Sequence, residues 1–203
     1  IWRKSSSIEA QRRDFKLEHA ARRVASSAML AALTATLGLL KLVPGGTDQL
    51  RVHELNPESV KQVCDLRTAV FSPELERPYT KILQGRKWEE SMKEKTKVLV
   101  ARAASNMAVE LRAANEFVGF AGDDEEPIIG TADMMLVPIP QDGDSCVYVN
   151  NVCVDPCARK RSVARTMMQV VDVLSAGELG ASALTLHVDA DNIPAISLYE
   201  SGG

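Results

Sequence analysis

From residue 50 onward the chain switches repeatedly between two hydrophobic periods. Residues 50–55 (LRVHEL) alternate apolar and polar positions, as a half-buried strand does. Pro57-Glu58-Ser59 then opens a helix that runs to Phe71. Its buried stripe is Val60, Val63, Cys64, Leu66 and Val70, and Ser72-Pro73 ends it. The pattern predicts a second helix over residues 80–94, a strand at 98–101, a helical stretch through Leu111 and a short strand at 117–121. Residues 127–137 (PIIGTADMMLV) and 146–154 (CVYVNNVCV) read as strands, and the apolar character of the second makes it central in a sheet. A helix over residues 166–176 carries Met167, Val170, Val171 and Leu174 on one face. A strand at 183–188 and a helix at 194–200 follow, the latter begun by Asn192 and Pro194. Strands alternating with helices make residues 48–203 an α/β domain.

Residues 1–47 have a different texture. Residues 8–23 read as a charged helix, and residues 24–40 (VASSAMLAALTATLGLL) carry no charge before Pro44-Gly45-Gly46 stops the run. A membrane-spanning helix needs about 17–25 mostly apolar residues, so residues 24–43 form a candidate anchor. Arg22, Arg23 and Lys41 stand where interfacial charges would sit, and Ala28, Ala31, Ala32 and Ala35 would let helices approach closely. A soluble Ala-rich helix, or the remnant of a targeting peptide, reads equally well from the same residues.

Charge sharpens this division. The 203 residues carry net charge −3. Residues 1–23 hold seven basic groups against three acidic ones, net +4, so the remainder carries −7. An acidic body argues against nucleic acid as the main partner. With 45% hydrophobic and 25% charged residues, the chain is neither a disordered tail, a collagen-like fibre nor a small disulfide scaffold. The four cysteines form no CxxC pair. Cys153 and Cys157 alone are weak grounds for a metal, so none is expected, and free thiols are the simpler reading. An initial Ile1 and a final Ser201-Gly202-Gly203 read as a chain cut at both ends.

The chemistry concentrates just after the central strand. Asp155-Pro156-Cys157-Ala158-Arg159-Lys160-Arg161-Ser162-Val163-Ala164-Arg165 joins that strand to a helix through small and basic residues. Backbone N–H groups at a helix start, the positive end of the helix dipole and added arginines together cradle an anion. The segments VDPCARKRSVARTMM and HVDADNIPAISLYESGG resemble two motifs of the GNAT-superfamily N-acetyltransferases. These are the acetyl-CoA-binding V-x-P-x-x-[QR]-x-x-G-x-[GA] and the later N-x-x-A-x-x-L-Y-E, and their separation is also that of the family. The resemblance covers roughly residues 50–203. The strand YVNNVCVDP looks most like plastid and bacterial members, among them ribosomal-protein N-terminal acetyltransferases.

The resemblance implies the GNAT acyl-CoA N-acyltransferase fold, a mixed central sheet flanked by helices, here with an N-terminal helical extension. It implies acetyl-CoA as co-substrate. The main chain of Val152, Cys153 and Val154 would pair with pantetheine and polarise the thioester carbonyl. Arg159, Lys160, Arg161, Ser162, Val163, Ala164 and Arg165 would hold the pyrophosphate, and Asn192 would touch the cofactor. Tyr199 would protonate the departing thiolate. His187 stands where some members place a glutamate and is a candidate general base, since imidazole suits that work at neutral pH. A histidine satisfied within the sheet is the alternative. Tyr148 and Asn150 are candidates for the amine side of the site. Two departures from the family pattern stand out: Ser162 replaces the first motif glycine, and the chain stops where the family has Gly-Phe and a final strand.

The function expected is transfer of acetyl from acetyl-CoA to a protein or peptide amine, an N-terminus or a lysine, by direct attack in a ternary complex. The rival expectation is a silent GNAT-shaped subunit of a membrane assembly held by residues 24–43. A plastid location is expected from the basic, Ser-containing N-terminus and the plastid-like strand.

Overall fold

A computed structural model describes residues 12–17, 50–75, 78–113, 126–139 and 144–202. The candidate anchor at 24–43 and the strand expected at 117–121 lie outside these residues. No helix among the described residues is long and apolar enough to cross a membrane.

The described strands are β1 (Arg12–Leu17), β2 (Leu50–Glu54), β3 (Lys97–Ala103), β4 (Ile128–Pro138), β5 (Ser145–Val154) and β6 (Ala183–Asp189). They form one mixed sheet in the order β1-β6-β5-β4-β3-β2. The described helices are α1 (Val60–Phe71), α2 (Pro78–Lys93), α3 (Ser105–Ala113), α4 (Val163–Gly177) and α5 (Ile193–Gly202). Short 3₁₀ turns at Pro57–Ser59 and Pro156–Ala158 lead into α1 and towards α4.

Among the described residues from 50 to 202 the hydrophobic periods gave the right element types, with ends displaced by a few residues. Two corrections are larger. Residues 12–17, expected inside a charged helix, form a strand antiparallel to β6, with Asp14 opposite His187. Main-chain pairing along an open sheet edge satisfies backbone groups whatever the side-chain period, so tertiary context overrides the helical pattern there. Helix α4 begins at Val163, three residues before the expected start, which draws Val163, Ala164 and Arg165 out of the loop and into the first helical turn.

The sheet has two packed faces. On one, α4 lays Val163, Met167, Val170, Val171 and Leu174 against Ile129, Val147, Val149, Leu184 and Leu186. On the other, α1 packs Val63, Cys64 and Leu66 against Val98, Val100, Ile128 and Cys153. Gly130 allows the start of α4 to sit close to β4. A Cβ at that position would lie 2.8 Å from Met167 Sδ and 3.1 Å from Val163 Cγ1.

Two irregularities of β5 set up the site. Its parallel ladder with β6 covers Cys146 to Val149 only and ends at Val149 opposite Leu186. Beyond that point the strands part, and the main chain from Asn150 to Val154 has no ladder partner on β6. On its other side β5 pairs with β4, but Thr131 faces Cys153 while Asp133 faces Asn150. Two steps along β4 therefore match three along β5. This is a β-bulge, and Asn151 within it has φ of 50°.

Candidate active site

The opening between β5 and β6 is a cavity of about 260 Å³ lined by Phe71, Tyr148, Asn150, Val152, His187, Asp189, Asn192 and Tyr199 among others. It joins residues from α1, β5, β6 and α5. β5 and β6 contribute Tyr148 and His187 from neighbouring strands on the face opposite α4, because Val147, Val149, Leu186 and Val188 take the α4 face. The His187 ring is exposed, with Nδ1 3.2 Å from Tyr148 Oη, and the two rings meet edge to face at 5.5 Å between centroids.

Tyr199 enters from α5. It is 8% exposed, packs within the α4-side core and still borders the cavity. Burial raises its pKa above the usual phenol value of 10.0, so the hydroxyl keeps its proton throughout the neutral range. Asn192 stands just before α5, and its Oδ1 accepts from the Ala195 N–H at 3.3 Å. It caps the helix while bordering the cavity, so the residue expected to touch a cofactor also fixes the helix that carries Tyr199.

The basic turn lies further along the same strand edge. Asp155 is fully buried and accepts from the Cys157 N–H at 3.1 Å and from Cys157 Sγ at 2.8 Å, which pins the 3₁₀ turn. The next residues turn sharply, with Lys160 and Ser162 both left-handed at φ 62° and 61°. Ser162 precedes α4 without a side-chain capping bond. The first N–H groups of α4 have no intrahelical partners, and the helix dipole adds positive potential there. Arg159, Lys160, Arg161 and Arg165 are exposed around this helix start. Arg161 pairs with Glu110 of α3 at 2.7 Å, and the exposed Arg165 lies 3.5 Å from Ser201 Oγ. An exposed ion pair is worth less than about 1 kcal/mol, so an incoming phosphate can outcompete it.

An open strand edge, a cavity at its head and a cationic helix start at its foot suit a long ligand that is polar at one end. The model for the acetyltransferase (GNAT) family matches residues 69–203, about two thirds of the chain. The chain belongs to the GNAT acetyltransferase family. It is an enzyme that uses acetyl-CoA as co-substrate.

Solved structures agree at the level of the fold. A putative acetyl transferase from Pyrococcus furiosus superposes with a TM-score of 0.55 at 16% identity, covering 76% of this chain and 92% of that one. A ribosomal-protein-alanine N-acetyltransferase from Brucella melitensis biovar Abortus 2308 gives 0.51 at 16%, covering 75% and 89%. An aminoglycoside acetyltransferase from an uncultured soil metagenomic sample, in complex with sisomicin, gives 0.51 at 14%, covering 76% and 88%. No curated protein matches the sequence.

Cys153 is buried on the α1 face, and burial pushes its thiol up to about 12, which disfavours a thiolate at neutral pH. Cys64, pushed up to about 11, borders a separate groove of about 830 Å³ between α1 and α2 that does not touch β5 or β6. Ser162 is exposed and holds a left-handed backbone. That conformation costs a non-glycine residue about 1–2 kcal/mol, against about 0.5–1 kcal/mol of extra chain entropy for glycine. Ser162→Gly therefore stabilises by about 0.5–1 kcal/mol, seen as a higher denaturation midpoint.

The sequence reading missed two contributors. Phe71 reaches the cavity from the end of α1, a placement that only the tertiary fold creates. Arg67 is fully buried beneath the bulge. A signal for it existed: Arg67 lies four residues after Val63 and three before Val70, on the very stripe read as apolar.

Proposed function

We propose that the enzyme moves acetyl to a protein or peptide amine, either an N-terminus or a lysine, by direct attack within a ternary complex. The observation that carries this reading is the lining of the cavity: aromatic rings, a histidine hydrogen-bonded to a tyrosine and, among the described residues, one carboxylate, Asp189. Such a lining suits one amine on an otherwise neutral backbone. A polycationic sugar would call for several carboxylates.

Acetyl-CoA supplies the acyl thioester when bound. The main chain of Val152, Cys153 and Val154, without a ladder partner on β6, supports it by hydrogen bonding, and an N–H there stabilises negative charge on the thioester oxygen. The segment Arg159 to Arg165, with the first N–H groups of α4, takes the pyrophosphate. His187, with Nδ1 held 3.2 Å from Tyr148 Oη, accepts the amine proton as general base. Tyr199 gives its proton to the departing sulfur.

The test uses peptides with a free α-amine and no lysine beside N-blocked peptides that contain lysine, each incubated with acetyl-CoA and read by mass spectrometry. Acetylation of either set, abolished by His187→Ala, supports the reading. Acetylation of neither set, with turnover on an aminoglycoside, overturns it. Attachment to a plastid membrane through residues 24–43 is a further proposal carried by sequence alone. Carbonate extraction with and without residues 1–46 tests it.

A further inference from the structure

The bulge of β5 sits on a buried charge network. The Arg67 guanidinium reaches from α1 to both sides of the register shift: Nη2 donates to Thr131 Oγ1 at 2.9 Å, and Nη1 donates to Asp133 Oδ2 at 3.2 Å. Nη2 also binds Asp133 Oδ1, and both side chains are fully buried. Asp133 Oδ2 in turn accepts from Asn151 Nδ2 at 2.7 Å. The Arg67 guanidinium lies 5.7 Å from the Trp88 ring centroid, so α2 backs the arrangement from behind. Thr131 and Asp133 are the residues between which the β4–β5 register shifts, and Asn151 is the left-handed residue of the bulge.

A buried ion pair is a poor source of stability, because desolvation offsets most of its attraction. This one is placed where it fixes a backbone geometry instead. We propose that Arg67, Asp133 and Asn151 are positioning residues: a charge clamp that holds the bulge and so aims the main chain of Val152 to Val154 at the acetyl thioester. The guanidinium fork sets the spacing of Thr131 and Asp133 along β4. Asp133 then holds the Asn151 side chain, which keeps that residue at positive φ and turns the following strand edge towards β6. No member of the clamp touches the acetyl group; the clamp acts through the backbone of residues 152–154. The proposal rests on acetyl-CoA lying along β5.

The test is carbon NMR with acetyl-CoA labelled with ¹³C at the thioester carbonyl. With the wild-type enzyme the bound carbonyl resonance moves downfield of the free value, as hydrogen bonding to the carbonyl oxygen requires. Asn151→Gly tolerates positive φ and folds, but it releases Asp133. It is expected to bind acetyl-CoA while its carbonyl resonance returns most of the way to the free value, with kcat about 10–100-fold lower and KM within about threefold. Leu174→Ala, a core truncation at the far end of α4, lowers the melting point and keeps the wild-type resonance. Retention of the wild-type resonance and kcat by Asn151→Gly overturns the clamp and leaves the cofactor placement standing. A wild-type enzyme that binds acetyl-CoA with no carbonyl shift overturns both.

Discussion

Tyr199→Phe lowers kcat for acetyl transfer by about 10²–10⁴-fold and leaves the Kd for acetyl-CoA within about twofold. The two effects separate because the ring and the hydroxyl do different work. The ring is part of the α4-side core, and phenylalanine preserves that packing. Tyr199 borders the cavity, and the hydroxyl is the group that can supply the proton needed as the C–S bond breaks. Burial raises the phenol pKa, which sets two signs. Tyr199 stays a donor through and beyond the ordinary phenol range, so loss of its proton does not limit the rate below about pH 10. Its neutral form is favoured in the folded state, so its stability contribution is complete below the usual phenol value and is lost as pH rises past it. Stopped-flow turnover beside calorimetric titration of acetyl-CoA checks the split. Unchanged turnover across the pH range removes Tyr199 from the mechanism.

Arg67→Met has the largest expected effect on stability. It leaves the Asp133 carboxyl, 0% exposed, without its guanidinium, which costs about 3–5 kcal/mol. Adding Asp133→Leu removes the stranded carboxyl and recovers most of that loss, since apolar residues of similar volume replace a buried ion pair at little net cost. Thermal denaturation of the two single variants and the double variant measures this. Acetyl transfer is expected to separate from stability: the double variant melts near the wild type yet remains at least about tenfold slower, because nothing aims the bulge. A double variant with wild-type turnover would leave the network with a packing role only.

What the sequence revealed followed from what is local. The stripe Met167, Val170, Val171 and Leu174 marked α4 because helical period and burial coincide along one element. The turn from Asp155 to Arg165 was legible for a similar reason, since its chemistry is contiguous. Tyr199 and His187 became visible through the family motif, and the fold brings both to one cavity, which their separate positions could not show. Where pairing is non-local the sequence was mute. Nothing in RRDFKL distinguishes a helix from a strand laid along β6, because the decision belongs to the free edge of that strand. The bulge was equally hidden, since it depends on how two steps along β4 meet three along β5. Arg67 was overlooked for a different reason. A charge on an apolar stripe reads as an interruption until its carboxylate partner, from another element, is in view.

The central claim is that acetyl-CoA lies along the open edge of β5 with its pyrophosphate at the start of α4. Backbone amide NMR during titration with acetyl-CoA tests it most directly. The largest shifts are expected at Val152 to Val154 and at Arg159 to Arg165, with smaller ones at Asn192 and Tyr199. Shifts confined to the groove between α1 and α2, around Lys61, Cys64 and Arg86, with none at residues 152–165, would contradict it.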